Sequence, residues 1–472
     1  MSGESHESFP IPTRRRFLQS FGGGFGAIAL QAMLSEQLRA DTVSDPMAPR
    51  SGHHLAKAKR VIFLFMTGGA SHVETFDPKP KLAADHGKTI KVDNFQGRLG
   101  EFDMYLKAPQ WAFHPGGQSE IEVSDLFPHV RNVVDDLCVI RSMSTNHTNH
   151  YESTLGMHCG SWTFARPSIG AWVSYGLGTE NRNLPSFVVL APHAPYAGTQ
   201  TWGSDFLPGA HQGTHVIPGP SPIADVQPRS GSRKLQQLEL QMLARANRRH
   251  AEQRPEDLAL EARIRSFETA YGMQSEAPAA LDLSGETAST LAMYGLQPGQ
   301  TNGFGWQCLV ARRMAERGVR FIELIDVGSS GNWDAHGDMT THAPLAKNVD
   351  QPIAALITDL KQRGMLDDTL VVWTTEFGRT PYNSVKDHSG REHHHQVFSS
   401  WMAGAGVKPG MVYGSSDEYG IAVAENMMHV HDFHATILHL LGIDHERLTY
   451  RYQGRDFRLT DVEGRVVNEI LA

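Results

Sequence analysis

The strongest constraint on the fold of this chain is a run of consecutive apolar residues, Val61–Met66, that ends in the glycine turn Thr67–Ser71. A strand without polar alternation is buried on both faces, which is typical of a parallel sheet covered by helices on both sides. Further apolar runs follow at 184–190, 319–325 and 369–373. Ligands of such sheets bind where the strands end, so the turn after Met66 marks the expected site.

Helical periodicity between these runs predicts an α/β fold with a mostly parallel central sheet and helices on both faces. Residues 305–318 and 349–364 carry apolar residues at helical spacing, and each pattern stops at a glycine. Residues 191–232 are rich in Pro, Gly, Ser and His and predict a loop insertion, and residues 233–271 predict a helical insertion. Because there is no internal repeat, we expect residues 60–472 to form a single domain with these insertions.

The N-terminus predicts export. Residues Thr13–Gln19 match the twin-arginine pattern: a hydroxyl residue, two arginines, any residue, Phe-Leu and a polar residue. The apolar stretch at 20–34 is interrupted by glycines and is too short to span a bilayer. We therefore expect residues 1–40 to be a signal peptide read by the twin-arginine translocase and residues 41–59 to be a linker. The mature chain, without a transmembrane helix, is then expected in the periplasm or outside the cell.

Composition narrows the partners and the type of site. The formal net charge is -8 and no basic stripe is present, which argues against a nucleic-acid partner. Cys138, Cys159 and Cys308 are widely spaced and odd in number, so we expect buried packing residues and neither a disulfide framework nor a thiolate metal site. Histidine is abundant, with 25 residues in several clusters, and clustered imidazoles suit zinc or related metals.

Four polar clusters follow the predicted strands, at 67–77, 142–152, 332–338 and 376–395. A hydrolytic metal site needs carboxylates and neutral imidazoles for the ion, a positive loop for the oxyanion and an open position. Asp334 and His336 are two residues apart, so on an extended segment both side chains point the same way. The predicted metal ligands are Asp334, His336, Glu376, His393, His394 and His395. The predicted catalytic residues are His150 and Arg379, and the predicted substrate-binding residues are Ser71, His72, His147 and Arg391.

A further group of polar residues, at 429–434, receives a structural interpretation. These residues open an amphipathic pattern that ends at Ile443, and Asp432 suits the N-terminus of a helix. We expect His429, His431 and His434 to cap and pack this helix.

Several segments resemble known families. Residues 349–378 resemble a stretch of sulfatases and related phosphotransferases, in which a helix, a Gly-Leu turn and a strand ending Ser-Asp-His-Gly follow one another. Asp432–Leu438 resembles the closing helix of that superfamily. More closely, the chain resembles domain-of-unknown-function family 1501 of exported bacterial proteins, in the segments Phe76–Lys79, Arg166–Trp172, Trp333–His336, Glu376–Pro381 and Gly454–Phe457. This resemblance implies an alkaline phosphatase/sulfatase-like fold.

The same comparison of motifs shows what this chain lacks. The first-strand carboxylates of active superfamily members would fall near Thr67 and Gly68, and the Asp-His pair after the later strand is Glu376-Phe377 here. By spacing, His150 begins the segment that corresponds to the sulfatase nucleophile motif, which has a cysteine. Formylglycine chemistry is therefore not expected, and any active site has been rebuilt.

Three interpretations of function stay open at this point. The favoured one is a metal-dependent hydrolase of phosphate or sulfate esters, acting on a small-molecule or glycan ester. Zinc is the expected ion, with manganese, calcium or iron as alternatives, and either a water activated by the ion or His150 would attack the ester. The second is a non-catalytic binding protein for an anionic ligand or glycan, and the third is a structural partner protein on the same scaffold. A bound metal with an open coordination position would distinguish the first from the others.

Overall fold

The structure, a computed structural model, describes residues 47–95, 98–223, 226, 233–254, 258–327 and 332–472. The predicted signal peptide at 1–40 and the first part of the predicted linker lie outside these residues. In the described residues the strands are, in chain order, β1 (Arg60–Met66), β2 (Thr89–Phe95), β3 (Arg98–Leu106), β4 (Phe113–Gly116), β5 (Ile121–Ser124), β6 (Leu137–Ser144), β7 (Phe187–Leu190), β8 (Thr214–Val216), β9 (Phe321–Asp326), β10 (Thr369–Thr375), β11 (Gly378–Arg379), β12 (Tyr382–Asn383), β13 (His393–His394), β14 (Phe398–Ala403), β15 (Met411–Tyr413), β16 (Ser415–Ser416), β17 (Val423–Glu425), β18 (Met428–His429), β19 (Tyr450–Tyr452) and β20 (Arg455–Phe457). The α-helices in the same residues are α1 (His72–Thr75), α2 (Pro80–Ala84), α3 (Pro128–Arg131), α4 (His150–Cys159), α5 (Ile169–Leu177), α6 (Arg233–Glu252), α7 (Leu258–Leu281), α8 (Ala288–Met293), α9 (Phe304–Glu316), α10 (His342–Gln362) and α11 (Val430–Leu440).

A nine-stranded sheet has the strand order β15-β6-β14-β10-β1-β9-β7-β8, with β18 also paired to β6. The central strand β1 is parallel to both β10 and β9, and β7 continues the parallel array to β8. Only β14, among the strands of this sheet in the described residues, runs antiparallel to both of its neighbours, β10 and β6. The predicted α/β class with a mostly parallel central sheet is therefore confirmed.

Each face of the sheet has its own hydrophobic core, because successive residues of a strand point to opposite faces. Ile62 and Leu64 of β1 belong to a core that includes residues of α9 and α10. Val61 and Phe63 belong to a second core that includes residues of α5 and α11. Burial on both faces explains why the run is apolar at every position, and the prediction of helices on both faces is confirmed.

The helix predicted at 349–364 begins earlier, at His342, and ends at Gln362. The apolar spacing that predicts a helix starts at Val349, and in the turns before it His342, Pro344, Lys347 and Asn348 interrupt the pattern. Pro344 lies in the first turn, where a missing N–H is tolerated because no intrahelical partner exists there. The helix of the predicted insertion likewise continues beyond 271, to Leu281.

Residues 47–59 contain no helix or strand and are hydrogen-bonded to the end of α11. His53 N donates to Gly442 O at 2.7 Å and Lys57 N donates to Leu440 O at 2.9 Å. The three cysteines are buried and unpaired, as predicted. No helix in the described ranges has both the length and the apolar character needed to cross a bilayer.

Candidate metal centre

Two adjacent parallel strands bring the site residues together. β1 and β10 pair with Met66 opposite Thr375, so the turn after β1 and Glu376 after β10 emerge side by side. Glu376 is fully buried and accepts hydrogen bonds from Gly68 N at 2.9 and 3.1 Å, one to each carboxylate oxygen. Gly69 has a φ of +81°, and a Cβ there would lie 2.8 Å from the ring of Phe377. The turn can therefore approach β10 this closely only with glycine.

His150 is oriented by this buried carboxylate. It is the first residue of α4, where the side chain of Asn149 accepts a capping hydrogen bond from Tyr151 N at 3.0 Å. Its Nδ1 lies 2.6 Å from Glu376 Oε1, and because a carboxylate only accepts, Nδ1 carries a proton. Its Nε2 is buried, has no hydrogen-bond partner in the described residues and lies 3.3 Å from Asp334 Oδ2. A neutral His150 therefore directs a lone pair at a carboxylate, an arrangement that a cation between them would satisfy.

The loop that carries Asp334 is fixed by its neighbours. Trp333 donates from Nε1 to Asp326 Oδ2 at 2.8 Å and from its backbone N to Thr67 O at 3.1 Å. Gly390 approaches the loop so closely that a Cβ there would lie 2.1 Å from His336 O. The bond to Thr67 O holds the loop against the turn after β1, the bond to Asp326 ties it to the end of β9, and Gly390 packs against its far end at His336.

One oxygen of Asp334, Oδ1, is shared by three basic side chains, while His150 faces the other oxygen, Oδ2. His336 Nε2 lies 2.9 Å from Asp334 Oδ1, and His393 Nε2 lies 3.3 Å from the same oxygen. Arg379 Nη2 also contacts this oxygen. As the two-residue spacing predicted, the side chains of Asp334 and His336 converge. The other ring nitrogen of His336, Nδ1, lies 2.6 Å from Glu392 Oε2.

Arg379, predicted as a catalytic residue, and Arg391, predicted as a substrate-binding residue, are both hydrogen-bonded to other parts of the protein. Arg379 is fully buried and donates to Gly68 O, to Gly69 O at 3.0 Å and to Arg391 O at 3.2 Å, in addition to its contact with Asp334. Arg391 is also fully buried and pairs with Glu74 Oε1 through Nη2 at 2.6 Å. In the structure both guanidiniums hold the scaffold together, which differs from the expected contact with a substrate anion.

His393 and His394 point in different directions, because successive residues of a strand point to opposite sides, and His395 lies beyond the end of β13. His393 faces Asp334, while His394 Nε2 lies 2.7 Å from Ile421 O and its ring stacks on His72 at 6.0 Å. His395 is half-buried and its carbonyl accepts from Thr145 N at 3.0 Å. Of the three, the structure brings only His393 to the cluster.

The predicted substrate-binding residues lie outside this cluster. Ser71 is the N-cap residue of α1, and its backbone N contacts His342 Nε2 at 3.4 Å. His72 Nε2 lies 3.0 Å from Gly420 O, and His147 Nδ1 accepts from Asn149 N at 3.1 Å. The cluster around Asp334 therefore unites six of the predicted residues: His150, Asp334, His336, Glu376, Arg379 and His393. The remaining six are elsewhere: Ser71, His72, His147, Arg391, His394 and His395.

Two residues of the site were not predicted. Glu392 precedes His393 in the fourth polar cluster and fixes His336. Tyr196 stacks its ring on that of His150 at 4.1 Å with an interplanar angle of 12°. It comes from the predicted loop 191–232, where no spacing marks it, and only the loop's position at the sheet edge could have drawn attention to it.

The charged side chains of the cluster shift the pKa values of one another. Burial would raise the pKa of Asp334, but contacts with His150, His336 and His393 hold it far below its usual value. Hydrogen bonds to Asp334 and Glu392 raise the pKa of His336 to about 9. Burial lowers the pKa of His150, yet its contacts with Asp334 and Glu376 outweigh burial and raise the pKa above its usual value. Asp334 and Glu376 therefore favour a positive charge at His150, which a proton or a metal ion can supply.

The family match of the chain agrees with the resemblance seen in its sequence motifs. Residues 58–471 match the family described as "Protein of unknown function (DUF1501)", which confirms the predicted family. No curated protein matches the chain.

The matching solved structures include a sulfatase, a phosphonate monoester hydrolase and an alkaline phosphatase. The sulfatase PsFucS1 from Pseudoalteromonas sp. matches with 11% identity and a TM-score of 0.38, over 90% of this chain and 72% of the sulfatase. A phosphonate monoester hydrolase from Silicibacter pomeroyi matches with 12% identity and a TM-score of 0.33, over 73% and 71% of the two chains. The alkaline phosphatase from the Antarctic bacterium TAB5 matches with 11% identity and a TM-score of 0.33, over 82% and 98%.

Proposed function

This chain belongs to the DUF1501 family of proteins of unknown function, and we propose that it is an exported, metal-dependent hydrolase of phosphate or sulfate esters. One observation carries the proposal: His150, Asp334 and His393 each direct one ligand atom into a common space, with all three atoms within 4.8 Å of one another. Two imidazoles and one carboxylate are a donor set that zinc prefers, and they leave a coordination position for substrate.

The tautomers of both histidines fit an ion. His150 Nδ1 is held by Glu376 at 2.6 Å, and His393 Nδ1 lies 2.7 Å from the carbonyl oxygen of Thr148. Each of these nitrogens must donate because its partner only accepts, so a neutral ring has its lone pair on Nε2. The Nε2 of His150 faces Asp334 Oδ2, and the Nε2 of His393 faces both Asp334 Oδ1 at 3.3 Å and His336 Nε2 at 3.0 Å. Hydrogen bonds of this kind orient metal-binding histidines in known proteins. Glu376, expected as a ligand, is better placed to orient His150.

Residues around the three ligands would take part in proton transfer and in orienting the ligands. A zinc ion held here would supply a Lewis acid for an anionic ester. His336 is the most exposed imidazole of the cluster, with 42% of its side chain accessible, and Glu392 fixes its Nδ1. In the proposed reaction the proton on its Nε2, which faces Asp334 Oδ1 at 2.9 Å, passes to the leaving oxygen. Arg379 orients Asp334 and the turn after β1, and Tyr196 covers the ring of His150.

A second candidate function is binding of an anionic ligand or glycan without turnover. One observation favours it: His150 occupies the position that corresponds to the nucleophile of sulfatases. The side chain of His150 is directed at Asp334 as a ligand, so the described cluster offers no other obvious attacking side chain. A water would have to serve in a hydrolase, whereas a binding protein needs no attacking group.

Hydrolysis assays separate the two candidates. The purified chain would be given zinc and tested with p-nitrophenyl phosphate and p-nitrophenyl sulfate, together with the variants His150→Gln and His395→Gln. We expect turnover in the wild type and in His395→Gln and its loss in His150→Gln. Zinc binding and phosphate binding without turnover would support the second candidate. An absence of zinc binding would contradict both the metal and the reaction.

A further inference from the structure

A second group of histidine and carboxylate side chains lies at the start of α11, outside the cluster around Asp334. His429, His431 and Glu463 each offer one ligand atom, and these atoms lie within 4.8 Å of one another. We propose that these three side chains bind a zinc-type divalent cation that fastens the segment around Glu463 to the start of α11. This proposal does not depend on the proposed function, because it uses none of the same residues.

The hydrogen bonds of His431 leave its Nδ1 without a proton. Its Nε2 lies 3.0 Å from Gly160 O, and a carbonyl oxygen only accepts, so Nε2 carries the proton of the neutral ring. Nδ1 then directs a lone pair at Glu463 Oε2, which lies 3.0 Å away. Two acceptors face each other at hydrogen-bond distance, and only a cation or an added proton between them makes the contact favourable.

The hydrogen bonds of His429 lead to the same result. Its Nε2 lies 3.0 Å from Asn146 Oδ1, which requires a donor. Its Nδ1 accepts from His431 N at a long distance of 3.3 Å and lies 3.9 Å from Glu463 Oε2. The Nδ1 atoms of both rings and one carboxylate oxygen therefore lie near one another, and an ion bound there would replace the long contact between His431 N and His429 Nδ1. Fixed Nε2 partners of this kind are what orient metal-binding histidines.

The surroundings of the group also suit a bound ion. Trp162 packs at 5.2 Å from the ring of His431 and at 5.6 Å from that of His429, which shields one side from water. Glu463 is 55% exposed, so an ion can enter from the other side. The N-terminus of α11 carries a positive dipole, and Asp432 in its first turn offsets it while accepting from His429 N at 3.0 Å. Two imidazoles and one carboxylate again favour zinc.

The competing occupant is a proton. A protonated His431 would form an ion pair with Glu463, at the cost of charging a ring that is almost fully buried. A zinc titration separates the two cases. If a proton occupies the group, zinc neither binds there nor raises the melting temperature.

The experiment is a zinc titration of the metal-free full-length chain by calorimetry, with thermal unfolding measured at each zinc concentration. The variants are Glu463→Gln and His429→Gln for this group, His393→Ala for the cluster around Asp334, and Glu425→Gln as an exposed control. We expect Glu463→Gln and His429→Gln to lose one equivalent of zinc or to weaken it by at least about tenfold. They should also lose the zinc-dependent rise in melting temperature, whereas Glu425→Gln behaves as wild type.

The variant His393→Ala keeps the outcomes for the two sites distinct. If it loses no zinc while Glu463→Gln does, the proposed function fails and the site at α11 stands. If Glu463→Gln and His429→Gln bind zinc with the stoichiometry and affinity of the wild type, the site at α11 is refuted and a proton occupies it.

Discussion

Replacing Glu74 by glutamine is expected to lower the free energy of unfolding by about 3–5 kcal/mol. Glu74 and Arg391 are both fully buried, and Arg391 donates to Glu74 Oε1 through Nε at 2.9 Å and Nη2 at 2.6 Å. Glutamine keeps the shape, but its single oxygen can accept either from Gln110 N, which lies 2.7 Å from Glu74 Oε2, or from Arg391. It also removes the charge and so leaves a buried guanidinium without a counter-ion. That uncompensated charge accounts for the size of the effect.

The measurement is urea unfolding followed by tryptophan fluorescence. With a urea m value of about 3 kcal/mol/M, the expected loss shifts the midpoint by about 1 M or more. Glu101→Gln is the matched control, because Glu101 forms an ion pair with Lys91 at 3.0 Å but is 57% exposed. Its replacement should cost at most about 1 kcal/mol.

The result also decides the role of Arg391. The other donors of its side chain are bonded to the carbonyl oxygens of Thr380, Lys107 and Ala108, so the structure gives it a scaffolding role. Glu74→Gln should therefore leave the zinc affinity of the folded protein unchanged. A loss of stability below about 1 kcal/mol, combined with weaker binding of zinc or phosphate, would refute this reasoning. Arg391 would then have the substrate-binding role that its sequence position suggested.

Three further predictions concern pH, thiol reactivity and export. Burial lowers the pKa of His158, but its buried pairing with Glu323 at 2.6 Å outweighs burial and raises it. The stabilisation from this pair is therefore complete below about pH 6.5 and declines as the pH rises through the raised pKa. The difference in unfolding free energy between wild type and His158→Gln should shrink with rising pH, and a difference that grows would contradict the pairing. Burial raises the pKa of Cys138 to about 12, so iodoacetamide should not modify it before unfolding, which mass spectrometry of the intact protein can check. Replacing Arg14 and Arg15 by lysine should keep the chain in the cytoplasm, and fractionation that still finds it in the periplasm would contradict twin-arginine export.

The sequence predicted the sheet well because its strands are buried on both faces. The run at Val61–Met66 is apolar at every position and becomes β1 with only Arg60 added. The rule that ligands bind at strand ends led to Glu376 and to the Asp334–His336 pair. Their prediction needed only the position of a strand end and a two-residue spacing, and both can be read from a short stretch of sequence.

Other features of the site depend on contacts between distant segments. Only the pairing of Arg379 with His393 in the β11–β13 ladder decides which of the three consecutive histidines faces Asp334. The role of Arg391 depends on Glu74, a residue far away in sequence, and a free arginine and a paired one look alike in the sequence. Tyr196 reaches His150 from a loop without periodicity. Pattern reasoning therefore predicted six residues that lie together around Asp334 but could not predict which side chains would face elsewhere.

The most direct test of the central claim is the metal content of the exported protein, measured by mass spectrometry for wild type, His393→Ala and His395→Ala. The two replaced histidines are two residues apart, and only His393 contacts Asp334. We predict that wild type and His395→Ala contain the same amount of bound zinc or related metal and that His393→Ala contains one equivalent less. Metal at background level in the wild type, or equal losses in both variants, would contradict a metal centre at Asp334.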